Sequence, residues 1–127
     1  MTYRLGLLSD IPLVALDGRY WTIDLWVKDL QAQAAAVAGV TLFCPVLAEA
    51  PPEWTLLALP PGVAVVVVPA PARRIAECLA GLDVVQVPGN STWRKSRRAR
   101  LFTRLAHRLG KPVVLGISSD RATTSVV

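Results

Sequence analysis

The chain has 127 residues, a formal net charge of +5 and a hydrophobic share of 53%, with a pI near 9.9 and a mean hydropathy of +0.43. That length suits one domain with a core of its own. The high apolar content still excludes a membrane-spanning helix, because the most apolar stretch, 55–72, is broken by Pro60, Pro61, Gly62, Pro69 and Pro71, and a span needs about 20 uninterrupted apolar residues.

The apolar excess has two natural uses: strands buried on both faces, and a surface that meets a partner. Cys44 and Cys78 form no CxxC pair and no disulfide framework, which fits buried thiols in a reducing compartment. The opening MTYRLGLLSD has no signal-peptide architecture. A cytoplasmic setting is expected.

In chain order, residues 4–9 (RLGLLS) are a short apolar run, expected as a central parallel strand. Residues 10–20 are expected as a loop, with turn signals at Pro12 and Asp17-Gly18. Residues 22–38 carry helical period through Ile23, Trp26, Val27, Leu30, Ala34 and Val37. Thr22 is the expected N-cap and Gly39 the stop. Trp26 belongs to the apolar stripe and is expected in the core.

Residues 40–44 (VTLFC) are the second strand, ended by Pro45. Residues 46–62 are Pro-rich and irregular, with a short strand or turn at 56–59. Residues 63–68 (VAVVVV) form the third strand, and 72–80 a short helix stopped by Gly81. The Val-rich runs 82–87 and 113–117 are continuous rather than alternating, the pattern of parallel strands covered on both faces. A helix joins them, giving a βαβ unit. Residues 120–127 suggest no further element. The order is β-α-β-β-α-β-α-β, which reads as a Rossmann-like, doubly wound parallel sheet in a three-layer α/β/α sandwich.

The helix of that last unit is the most charged part of the chain. Ser91 or Thr92 is its natural N-cap, its span is 93–109, and Gly110 ends it. Leu101, Phe102, Leu105, Ala106 and Leu109 share the side that packs on the sheet. Arg97, Arg100, Arg104 and Arg108 point away, whereas Arg94 and Arg98 share the azimuth of the apolar side. Arg94, Lys95, Arg97 and Arg98 oppose the helix macrodipole, at a cost of about 0.3–1 kcal/mol each. Helix N-termini favour anions, and this turn lies at the carboxyl edge of the strands, where ligands bind. These four cations are therefore expected to face a phosphate-bearing substrate or acidic lipid heads, with Trp93 suited to a membrane interface. A solvated helix face is the plain alternative.

His107, the sole histidine, lies opposite the apolar side and is a poor general base. HExxH, GxSxG and P-loop motifs are absent, and no metal site is expected. Ser9-Asp10-Ile11-Pro12 stands where a dinucleotide-binding GxGxxG would follow the first strand, which argues against a nicotinamide dehydrogenase.

Four stretches carry a family likeness: LGLLSD, then DGRYWTIDLWVKDLQAQAAAVAGVTLFCPV, then LDVVQVPGN, and RLAHRLGKPVVLGISSD. Together they resemble the N-terminal domain of GT-B glycosyltransferases, with a first strand, a Gly-containing loop and long first helix, a "DVV" strand and a "GKPVV" strand. The resemblance implies that residues 1–127 are one Rossmann-like domain, the acceptor-side half of a two-domain enzyme. It implies transfer of a sugar from a nucleotide-sugar donor, as co-substrate, to a glycan or lipid-linked acceptor, with no other cofactor.

The family's second domain, which holds the donor, has no counterpart here, so it is expected in cis or in trans, with this chain inactive alone. Carried over, Gly18 and Arg19 form the loop that approaches the donor diphosphate; the family has paired glycines there, and this chain has one. Asn90, Ser119 and Asp120 are the polar candidates for sugar or acceptor contact, where family members often carry a histidine. The alternative is a non-catalytic flavodoxin-like module that docks through 93–108 on an anionic membrane or acidic partner, peripheral at the inner face. Nucleic acid ranks last, because only Trp93 and Phe102 could stack bases and Phe102 faces the core.

Overall fold

The computed structural model of the chain describes residues 3–88, 97–117 and 123–126. In order, its elements are β1 (Arg4–Leu8), β2 (Leu13–Leu16), β3 (Arg19–Ile23), α1 (Asp24–Ala36), β4 (Gly39–Cys44), β5 (Val46–Leu47) and β6 (Leu56–Ala58). There follow β7 (Val63–Val67), α2 (Ala72–Ala80), β8 (Val84–Pro88), α3 (Arg97–Arg108), β9 (Val113–Ile117) and β10 (Thr123–Val126).

The main sheet runs β10-β9-β8-β1-β4-β7. All its pairs are parallel except β9 with β10. This is the expected Rossmann-like α/β fold. The chain winds outward from β1 through β4 to β7, then returns to β8 on the other side of β1. That reversal between β1 and β8 is the topological switch point.

Helices flank both faces. On one side Phe102, Leu105 and Ala106 of α3 and Ile75 and Leu79 of α2 pack on Leu8, Phe43, Val66, Val85 and Val113. Phe43 and Phe102 meet edge to face, with ring centroids 4.8 Å apart. Gly6 leaves room for Leu82 to pack on the strand: a Cβ there would lie 2.6 Å from Leu82 Cδ1. On the other side Leu30 of α1 packs on Leu5, Leu7, Val40, Leu42 and Cys44, and Trp26 is half-buried against this core. Strand periodicity explains the split, since alternate residues face opposite layers.

The α1 side is covered unequally. The helix and residues 46–62 occupy the β1–β4–β7 half, where Leu59, Val63 and Val65 pack against the second core. Over β8 and β9 a groove of about 440 Å³ stays open, lined by Tyr3, Val37, Val84, Gln86 and Val114.

Three expectations need correction. Residues 10–20 are a hairpin, not a loop. Leu16 pairs with Arg19, so two residues make the turn, and Asp17 (φ 51°) and Gly18 (φ 72°) both hold positive φ, as a tight Asp-Gly hairpin turn demands. The hairpin belongs to a second sheet, β5-β2-β3-β6. Thr22 is not an N-cap: α1 follows Ile23 with no side-chain cap, and the buried Thr22 hydroxyl donates to the Pro12 carbonyl at 3.0 Å. Finally, β10 lies within 120–127, where no element was expected, and closes the β9 edge antiparallel.

Candidate functional site

The carboxyl edge of the parallel strands holds a cleft of about 460 Å³. Three separate parts of the fold converge on it. Asp10 comes directly after β1, Val68, Pro69 and Ala70 follow β7, and Arg97, Arg98 and Leu101 come from the start of α3. The floor is apolar, with Ile75 of α2 buried beneath it.

Each polar side chain is placed by a local cause. The Ser9 hydroxyl oxygen accepts the Ile11 N–H at 3.0 Å, closing a turn that presents the exposed Asp10. The Ser9 N–H donates to the Phe43 carbonyl at 2.9 Å, which ties that turn to β4. Ala99, Phe102 and Ala106 are the buried stripe of α3, and the residues just ahead of this stripe are carried to the sheet edge. Arg98 is half-buried there and Arg97 is exposed. Neither forms an ion pair with a carboxylate among the described residues.

Arg98 also reaches the β4 terminus electrostatically. Burial pushes the Cys44 thiol up to about 12, while the Arg98 charge pulls it the other way. A guanidinium without a fixed carboxylate, beside an apolar wall and across from one acid, can take an oxyanion bidentately.

Of the residues expected at a site, the fold brings Arg97 and Arg98 together. Arg98 sits as its azimuth predicts. Arg97, expected to point away from the sheet, lines the cleft as well. Gly18 and Arg19 lie at the hairpin tip and not in the cleft. Apart from Gly18 and its two chain neighbours, no described heavy atom lies within 4 Å of where a Gly18 Cβ would be, and the exposed Arg19 stacks on Trp21, 5.4 Å from the ring centroid. Trp21 Nε1 donates to the Leu16 carbonyl at 3.1 Å. Asn90, Trp93, Arg94, Lys95, Ser119 and Asp120 lie outside the described residues. His107 is exposed on α3.

Sequence reasoning missed Asp10 and the Val68–Ala70 wall. The signal for Asp10 was its position as the first acidic residue after the central strand, at the edge where open α/β sheets bind ligands. Among the described residues no group of His, Cys, Asp and Glu could hold a metal ion, and no helix is long and apolar enough to cross a membrane.

Compared with known protein families, with characterised proteins and with solved structures, the chain matches none.

Proposed function

We propose that this chain is the acceptor-side domain of a GT-B-type glycosyltransferase that moves a sugar from a nucleotide-sugar donor to a glycan or lipid-linked acceptor. One observation carries the reading: a cleft at the carboxyl edge of a Rossmann-like sheet, with Arg97 and Arg98 on one wall and Asp10 on another. The acceptor lies on the apolar floor, and the arginines neutralise charge at the reacting end. The donor is held by a second domain, in cis or in trans, that faces this edge. Asn90 follows β8 in sequence, Ser119 and Asp120 follow β9, and in this reading they are acceptor contacts.

The test is sugar transfer by the full-length protein purified from its source cells together with any subunit that co-purifies, using radiolabelled nucleotide sugars and a panel of glycan and lipid-linked acceptors. The expected result is incorporation of label, with the acceptor KM rising about tenfold in Arg98→Ala, the usual effect of losing a charge-assisted contact. No incorporation from any donor overturns the reading.

A second reading draws on α3, which has no acidic residue in its first turn and exposes Arg97, Arg104 and Arg108. Such a face suits a module peripheral at the cytoplasmic side of an anionic membrane. Vesicle binding that fades with salt, without any transfer activity, would favour this reading over the first.

A further inference from the structure

We infer that the carboxyl-edge cleft takes a phosphoester carried on a hydroxylated, sugar-like or polyol body. The inference rests on the acceptor-side reading and names the chemistry of the ligand.

The argument starts from charge. Arg97 and Arg98 are adjacent, both line the cleft, and neither has a carboxylate partner among the described residues. Arg98 is half-buried, and among the described residues no carboxylate forms an ion pair with it. The planar guanidinium fork holds an oxyanion bidentately, which a point charge does not. Two adjacent guanidinium groups supply more donors than one carboxylate can accept, which favours a phosphoester's several oxygens.

The rest of the ligand is read from the other walls. Asp10 is the acidic residue of the cleft lining. A carboxylate beside a bound anion repels it, so Asp10 has to meet a donor. Hydroxyl groups on the body that carries the phosphate supply that donor. Val68, Ala70, Ile75 and Leu101 give the cleft an apolar part of its lining, suited to the C–H face of a ring or polyol. A volume of about 460 Å³ is within the usual range of small-molecule sites, about 300–1,000 Å³. A free inorganic anion would leave Asp10 and the apolar floor unused.

The phosphoester can come from a soluble sugar phosphate or from a lipid headgroup, and the experiment separates the two. Calorimetric titration uses glucose 6-phosphate, glucose and inorganic phosphate in turn. Vesicles of phosphatidylglycerol and of phosphatidylcholine are tested by flotation. The expected result is glucose 6-phosphate bound more tightly than either glucose or phosphate. Arg98→Ala should weaken it about tenfold, and Asp10→Asn should weaken the sugar phosphate but not phosphate.

Flotation with phosphatidylglycerol alone, competed off by glucose 6-phosphate, supports the inference and assigns the ligand to a headgroup. Tight binding of the soluble ester without flotation supports it and assigns a free ester. Equal binding of glucose and glucose 6-phosphate, or binding unchanged in both Arg98→Ala and Arg97→Ala proteins that keep their wild-type thermal midpoint, overturns it. Sugar transfer is scored separately. Transfer to a neutral acceptor with no phosphoester binding sinks this inference and leaves the transferase reading standing. Phosphoester binding without transfer does the reverse.

Discussion

Cys44 ends the second parallel strand with its side chain buried, and its thiol is held neutral by that burial up to about 12, against the opposing pull of Arg98. The folded value lies above the ordinary 9.0, so the folded state keeps a proton that the unfolded chain gives up first. The stabilisation is therefore complete below about pH 9 and is lost as pH rises toward about 12. Urea unfolding from pH 8 upward should show the wild type losing stability relative to Cys44→Ala beyond pH 9, and parallel curves would refute the point. Iodoacetamide near neutral pH should modify the half-buried Cys78 well before Cys44, because the thiolate is the reactive form.

The two ends of the hairpin β2–β3 are joined through one side chain. The buried Thr22 hydroxyl donates to the Pro12 carbonyl and so pins the entry of the hairpin to its exit. Thr22→Val keeps the shape and strands that carbonyl, with an expected loss of about 1–3 kcal/mol. A fall in thermal midpoint should report it, and an unchanged midpoint would show that water takes over the bond.

The same stretch marks the limit of what the sequence made legible. Continuous Val-rich runs identified the parallel strands β7, β8 and β9, although β8 and β9 line an open groove on the α1 face and Val67 of β7 is exposed. The hairpin was harder to see. Its strands are four and five residues long, and each is exposed at its turn end, so period-2 alternation never develops. The Asp17-Gly18 turn signal was visible, but Thr22 competed as a helix cap and lost to a tertiary hydrogen bond. At the cleft Arg98 was legible from helical azimuth, whereas the azimuth of Arg97 pointed it away from the sheet and the fold places it in the lining all the same. Asp10 and the β7 wall were not, because only the winding order brings the ends of β1 and β7 beside the start of α3.

At the scale of the molecule, the two faces of the sheet are not equivalent. The α2–α3 face is sealed by aromatic and aliphatic packing, centred on Phe43 and Phe102. The α1 face is sealed over β1, β4 and β7 and open over β8 and β9. Parallel strands are ordinarily covered on both sides, so strand β9 is held from one side where β1 is held from two.

That asymmetry bears on how the backbone breathes. Local opening has the lowest free energy where few apolar contacts must be broken. Native-state amide hydrogen exchange should therefore rank the strands, with the amides of β1 and β4 slowest and those of β9 exchanging measurably faster. Protection of β9 equal to that of β1 in the isolated chain would mean that another surface, such as a second copy, already lies over the groove. With the expected gradient the sheet has a slow half and a fast half, and the boundary between them falls at the β1–β8 switch point.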